Sequence, residues 1–312
     1  MIQKLMLVLL SFLVCFTAQA QISITLRTSF VDSIKNKVTI DGNYEVYFAH
    51  KHANSAVKDG DLHCAGYEKK IGLPIVAEIM NAASEDEAVN LVHQKEGNGV
   101  PSEKVKITGV WRLWCEHPGD IQEFKQGKGD IPIEDTNPAH VFEIHPITKI
   151  GDIDLQNSLH EIAGFKYKDA EDAFSRYSNL RCKISKKGKF ITIETNGIGY
   201  NYVDFWIKLN TTTKDIVDDG LFVFCTIYNS QFDPSDENED DLISHKLRIA
   251  MVKDTELYNK VKDMNKGDFV HVVGIPRIDL AIVSWRVQHA VERPEVLQWN
   301  LPLEMVAVGE IH

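Results

Sequence analysis

Polar and apolar residues alternate with a period of two along most of the regular segments of this 312-residue chain, and this alternation most constrains its fold. From Lys37 onward, apolar side chains recur at Val38, Ile40, Tyr44, Val46 and Phe48. Such alternation is typical of a β-strand with one buried face and one polar face. It predicts a chain that is mostly β.

The segments of the first half occur in an order that indicates a fold. Strands are predicted at residues 37–48, 62–65 and 74–80, then a helix, then strands at residues 104–117 and 140–148. Ser84 is the expected N-cap of the helix, and Glu87, three residues on, completes a capping box. Three strands, a helix and two strands is the order of an OB-fold, a small Greek-key barrel.

The second half repeats this architecture. Strands are predicted at residues 189–195, 202–209, 221–228 and 246–252, a helix after Asp254, and further strands at residues 266–276 and 281–287. We therefore expect a mostly β (α+β) fold that consists of two OB-like five-stranded barrels, each with one helix.

The first twenty residues have the features of a secretory signal peptide. Lys4 precedes an apolar stretch at residues 5–16 that is too short to span a bilayer, and Ala18-Gln-Ala20 fits a cleavage site. We therefore predict export, to the periplasm or the medium. The expected organisation is a signal peptide at 1–20, an N-terminal OB-like domain with the candidate site at 21–150, a connector with a short helix at 151–180, and a C-terminal OB-like domain at 181–312.

The formal net charge of −11 bears on the choice of partner. An acidic chain repels nucleic-acid phosphates unless a local basic stripe compensates, and the sequence has no such stripe. We expect a small polar ligand or a glycan as the partner, with no membrane span, and nucleic acid is disfavoured.

Four cysteines follow the predicted signal peptide. An even number in an exported chain permits disulfides, which would pair Cys64 with Cys115 and Cys182 with Cys225. The alternative is buried thiols that act as small apolar residues. Both alternatives stay open, because a sequence supplies no Cα distances.

Carboxylates and histidines are concentrated on four strand-like segments of the first half. These are Asp59–His63, Pro74–Glu78, Arg112–His117 and His140–Pro146. Residues i and i+2 share a strand face, so the apolar residues of each segment fix which side is the core. The polar side chains then lie outside the barrel wall. The candidate site residues are Asp61, His63, Glu78, Arg112, Trp114, Glu116, Glu143 and His145.

Three interpretations of this set compete. The favoured one is an exported protein that binds a polar or anionic ligand, such as an oligosaccharide, on the outer face of the first barrel, with Arg112 for an anion and Trp114 for stacking. The second is a divalent-metal site for zinc or manganese that activates water in a hydrolase. Its ligands would be His63, Glu78, Glu143 and His145.

The third interpretation is a polar network that braces the strand ends and has no ligand. Binding of extracytoplasmic nucleic acid is a further alternative, opposed by the acidic charge and by the lack of interleaved basic and aromatic residues. The residues leave open whether the chain is an enzyme.

Two resemblances add to these interpretations. Asp59-Gly-Asp-Leu-His63 and Glu143-Ile-His-Pro146 resemble the DGDxH and ExHP motifs of uncharacterised exported bacterial proteins, over roughly residues 40–150. That resemblance implies no activity. Lys266-Gly-Asp and the alternating strand that ends in Gly274 resemble the OB domains of single-stranded-DNA-binding proteins. This second resemblance implies a fold and no ligand.

Overall fold

The structure is a computed structural model that describes residues 21–101, 103–128, 131–236, 239–289 and 298–312. The predicted signal peptide lies outside these residues. The strands and helices of the first half are β1 (Ile22–Arg27), α1 (Thr28–Ile34), β2 (Thr39–Ala49), β3 (Leu62–Tyr67), β4 (Pro74–Ile79), α2 (Asp86–Lys95), β5 (Val105–Leu113), β6 (Glu123–Lys125), β7 (Phe142–Ile150) and β8 (Ile153–Asp154).

Those of the second half are β9 (Lys168–Asp169), α3 (Ala170–Asn179), β10 (Arg181–Lys187), β11 (Phe190–Thr195), β12 (Val203–Leu209), β13 (Asp215–Val217), β14 (Gly220–Tyr228), β15 (Leu242–Val252), α4 (Glu256–Asp263), β16 (Phe269–Ile278), α5 (Leu280–His289), β17 (Gln298–Asn300) and β18 (Leu303–Glu310). Short 3₁₀ turns occur at Ala82–Ser84, Gln156–Ser158 and Glu239–Asp241.

The first barrel has the predicted OB order. Its strands lie in the order β4, β3, β2, β5, β7, and a parallel pairing of β4 with β7 closes the ring. Helix α2 comes between the third and fourth strands of the barrel, as predicted. It begins at Asp86, and the predicted capping box is absent because the Ser84 hydroxyl donates to the Asn81 carbonyl at 2.8 Å.

The second barrel repeats the same topology with β14, β15, β18, β16 and β12, closed by the pairing of β12 with β14. The prediction of two OB-like barrels is therefore confirmed. The strand predicted at residues 281–287 is wrong, because this segment is helix α5. The Asp279 carboxylate accepts hydrogen bonds from the amides of Ala281 and Ile282 at 2.8 and 3.0 Å and starts the helix. The last barrel strand is β18.

A third sheet joins segments from both halves of the chain. Its strands lie in the order β17, β10, β11, β1, β6. The strand predicted at residues 189–195 for the second barrel is β11, and it pairs with β1 and β10 in this third sheet instead. The domain boundaries expected from the sequence stay a prediction.

An apolar cluster between the barrels holds their outer faces together. Val38, Met80 and Val110 of the first half pack in one cluster with residues of the second half, including Phe222 and Ile275. Burying such surface stabilises by about 25 cal/mol per Å² removed from water. The second half therefore covers part of the outer face of the first barrel, where the sequence places the candidate site.

The four cysteines of the described chain are buried and free, so the structure has the thiol alternative and neither bridge. Over the residues that the structure describes, no helix is both long enough and apolar enough to cross a bilayer.

Candidate metal centre

Closure of the first barrel aligns polar side chains of the four strands β3, β4, β7 and β5 on its outer surface, and we call this set the row. His63 of β3 lies directly opposite Glu78 of β4. The parallel pairing of β4 with β7 brings Glu78 to the level of His145, and Arg112 of β5 lies opposite Glu143 of β7. Glu78 and His145, 67 positions apart in the chain, thus become neighbours, and the side chains of the row point away from the barrel interior.

A tyrosine of the second half completes the row. The Tyr202 hydroxyl donates to Oδ2 of Asp61 at 2.9 Å, and Nε2 of His145 lies 2.8 Å from the same hydroxyl oxygen. A hydroxyl has one hydrogen to give, so the His145 ring donates from Nε2 to Tyr202. Nδ1 of His145 then faces carboxylate oxygens of Glu78 at 3.5 Å and Glu143 at 3.6 Å.

Several buried polar atoms of this row have no hydrogen-bond partner. They are Oδ1 of Asp61, Oε2 of Glu78, Nδ1 of His145 and both ring nitrogens of His63. Asp61 and His145 are 0% exposed. A buried polar atom without a partner costs about 1–3 kcal/mol, and such atoms are rare in folded proteins. These atoms converge, so one bound group can satisfy several of them together.

Asp61, Glu78 and His145 have the spacing of a metal site. Each offers one ligand atom, and these atoms lie within 4.8 Å of one another. A carboxylate–imidazole donor set suits zinc, and also manganese or iron. The residues present therefore fit a divalent transition-metal ion.

The electrostatics of the row favour a cation. Burial raises the pKa of Asp61 and of Glu78 to about 7. Although burial alone would lower the pKa of His145, the carboxylates of Glu78 and Asp61 raise it well above its ordinary value. The raised pKa values of the two carboxyls and of His145 have one cause, which is that the carboxylate charges are buried away from water. A positive charge among these carboxylates would stabilise them.

Glu143 belongs to a neighbouring ion-pair network. Arg112 donates from Nη1 to Glu143 at 2.5 Å and from Nη2 to Glu116 at 2.7 Å. Although burial opposes it, Arg112 and the hydrogen bond from His140 hold the pKa of Glu143 well below its usual range. Arg112 also donates from Nε to the Pro276 carbonyl of the second barrel at 3.0 Å. Glu143 therefore already has cationic partners.

The predicted ligand face is not open to solvent in this structure. Arg112, Glu143 and Trp114 are each about 1% exposed, and Trp114 packs edge-on against Tyr177 of α3 at 5.4 Å. Glu116 keeps 14% of its side chain accessible. Side chains buried to this degree have no free surface to offer a glycan.

Two residues of the row were not among the candidates. Tyr202 lies in the other half of the chain, and nothing in its local pattern indicates contact with Asp61. His140 begins one of the four polar segments without being a candidate itself, and its Nε2 lies 3.3 Å from the Glu143 carboxylate. The sequence did contain one indication of this contact: His140 lies three residues before Glu143, at the beginning of β7.

Comparison with known proteins gives a likeness to solved structures only. No family model matches the chain, and no curated protein matches it. The wild-type single-stranded DNA binding protein from Thermus aquaticus is 12% identical with a TM-score of 0.22, over 88% of this chain and 90% of that one. A murine DNA binding protein bound with double-stranded DNA is 10% identical with a TM-score of 0.17, over 75% and 84%. Likenesses this weak carry no argument about ligands.

The prediction about partners is wrong. It favoured a small polar ligand or a glycan on the outer face of the first barrel and disfavoured nucleic acid, whereas the two structures named above are of DNA-binding proteins and the predicted face is buried. The physical reason for the error is that net charge describes a whole chain, while binding depends on one local surface.

Proposed function

We propose that this chain binds a divalent transition-metal ion between its two barrels, through Asp61, Glu78 and His145. The observation that carries the proposal is the convergence of unpartnered buried atoms from all three residues. Metal coordination satisfies carboxylate and imidazole lone pairs together, which no single protein donor nearby does.

The rival interpretation is a polar network with no ion, in which a protonated His145 neutralises the carboxylates. Nδ1 of His145 lies 3.5 Å from Glu78 and 3.6 Å from Glu143, which is too long for an ordinary hydrogen bond. That network would also leave Oδ1 of Asp61 and both nitrogens of His63 unsatisfied. A bound metal ion would satisfy more of the unpartnered buried atoms than the polar network does.

The burial of the ligands favours a structural ion over a catalytic one. A hydrolytic metal keeps a coordination position open to water and substrate. Asp61, Glu78 and His145 are at most 4% exposed, and Tyr202 of the second half closes the row from the other side. In this proposal the ion holds together segments of the first barrel, and the hydrogen bonds of Tyr202 to Asp61 and His145 link the centre to the second half.

Metal analysis of the purified full chain tests the proposal. After incubation with zinc and exhaustive dialysis, we expect about one equivalent of metal on the unaltered protein and none on Glu78→Gln. Glu68→Gln is the matched control, since Glu68 is also a buried carboxylate of the first barrel but accepts from the backbone amides of Lys70 and Ile71. Absence of bound metal from the unaltered chain would refute the proposal.

A patch of aromatic and basic residues favours a second candidate function, binding of single-stranded nucleic acid on the second barrel. Phe224 is 43% exposed with the Lys246 amine 4.5 Å from its ring, and Trp206 stacks on His271 at 4.6 Å. Stacking of one base on an aromatic ring contributes about 1–3 kcal/mol.

Fluorescence anisotropy with a labelled single-stranded oligonucleotide at low salt tests this second candidate. We expect Phe224→Ala to weaken binding by about tenfold or more. Ile216→Ala serves as a control, because Ile216 is also an exposed apolar residue of the second half, at 58%. Equal affinities of the two variants would remove the candidate.

A further inference from the structure

We infer that the centre is a closed, four-ligand zinc site in which His63 supplies the fourth ligand. This inference rests on the proposed function and goes further, because it names the ion, the coordination number and a ligand that lies outside the group of three. It also implies that the ion keeps no position for a substrate.

His63 is placed and prepared for this role. It lies on β3 directly opposite Glu78, and its Nε2 is 3.4 Å from Oε2 of Glu78. Both of its ring nitrogens are buried without a hydrogen-bond partner.

Two of the donor-atom distances at the centre match tetrahedral coordination. Ligand atoms about 2.1 Å from a zinc ion at the corners of a tetrahedron lie roughly 3.4 Å from one another, against roughly 3.0 Å between neighbours in an octahedron. The distance from Glu78 Oε2 to His63 Nε2 is 3.4 Å, and that to His145 Nδ1 is 3.5 Å. Both distances fit the tetrahedron. The ligand atoms of Asp61, Glu78 and His145 lie within 4.8 Å of one another, so in this proposal the bound ion draws them and the His63 ring closer together.

The donor set also selects among ions. Magnesium and calcium prefer six or more oxygen ligands, often including water, whereas two imidazoles and two carboxylates suit zinc. The two carboxylates of Asp61 and Glu78 balance the charge of a divalent ion, so the filled centre is neutral and tolerates burial. Glu143, whose carboxylate is held by Arg112, acts as a neighbour and not as a ligand.

Tyr202 acts as the positioning residue of this centre. Its hydroxyl binds Nε2 of His145 and thereby holds the tautomer whose Nδ1 lone pair points at Glu78. The same hydroxyl donates to Asp61 Oδ2 and leaves Oδ1 for the ion. Partners of this kind outside the coordination sphere contribute about 10–100-fold to metal affinity.

Cobalt substitution of the full chain tests the inference. Tetrahedral Co²⁺ has intense visible absorption and six-coordinate Co²⁺ has faint absorption, so a titration of metal-free protein reports geometry and affinity together. We expect an intense spectrum at one equivalent. His63→Ala should still bind Co²⁺, at least about tenfold more weakly and with a shifted visible band, because water takes the place of the imidazole, and Tyr202→Phe should keep the band with about 10–100-fold weaker binding.

His50→Ala is the matched control, since the His50 ring stacks on His63 at 4.7 Å from outside the row, and we expect its spectrum to be unchanged. His63→Gln replaces His63→Ala if circular dichroism finds the alanine variant unfolded. A faint spectrum from the unaltered protein, or a His63 variant whose spectrum and Co²⁺ affinity are both unchanged, would overturn the inference and leave the proposed function standing. Failure to bind either Zn²⁺ or Co²⁺ would overturn both.

Discussion

Replacing Arg112 with alanine is expected to lower the free energy of unfolding by about 3–5 kcal/mol. Arg112 is buried, and it neutralises the Glu143 and Glu116 carboxylates at 2.5 and 2.7 Å. Removal of a buried partner leaves an uncompensated charge, which costs far more than the pair itself contributes. The substitution also removes the hydrogen bond to the Pro276 carbonyl, so it loosens the contact between the barrels.

Denaturant unfolding at neutral pH measures this change. Lys183→Ala is the control, because the Lys183 amine pairs with Glu194 at 3.2 Å on the surface, where such pairs contribute about 0–1 kcal/mol. Replacement of both Arg112 and Glu143 with methionine should restore part of the lost stability, because no unpaired carboxylate is left at position 143. A loss of less than about 1 kcal/mol for Arg112→Ala would contradict the role given to this side chain.

The strand pattern predicted the first barrel and the outward phase of its polar residues. Leu62 and Cys64 face inward on β3, so Asp61 and His63 must face outward. The same alternation predicts that Glu143 and His145 face outward on β7. The OB order then follows from the sequence of strands and one helix. These features depend on local periodicity, which a single sequence contains.

What covers the outward face could not be predicted, because it depends on contacts between distant segments. Tyr202 reaches Asp61 across 141 positions, and the Arg277 side chain donates to the carbonyl of Trp111 across 166. The alternation of polar and apolar residues along the chain indicates neither of these contacts. An outward polar residue was therefore taken as exposed, whereas the second half buries it.

Helix α5 shows a second limit of local pattern. A strand was predicted at residues 281–287, where Ile282, Val283 and Val287 have the β-branched side chains that favour strands. The helical spacing of the buried residues Leu280, Val283, Ser284 and Val287 was present as well. The N-cap Asp279 was the sequence signal that distinguishes the two.

The substitution Glu78→Gln is expected to stabilise the metal-free protein and to destabilise the protein relative to the unaltered chain when zinc is added. Without metal, the pKa of Glu78 is raised by burial from its ordinary value of 4.5 to about 7. The folded state thus holds this proton more tightly than the unfolded chain, so the carboxylate destabilises the fold as pH rises from about 4.5 to 7, and fully above 7. Glutamine removes that charge and should stabilise the metal-free protein at pH 8 by up to about 3 kcal/mol.

With zinc, the unaltered protein should become more stable than Glu78→Gln. An ion that binds only the folded chain stabilises it by about 4 kcal/mol when free zinc is 1,000 times the dissociation constant, and Glu78→Gln loses most of this gain. Thermal melts of both proteins at pH 8, with chelator and with buffered zinc, measure the crossover. At pH 5 the difference should largely disappear, because protonated Asp61 and Glu78 neither repel each other nor bind the ion. If Glu78→Gln destabilised the protein equally with and without zinc, Glu78 would be a structural hydrogen-bond acceptor and not a metal ligand.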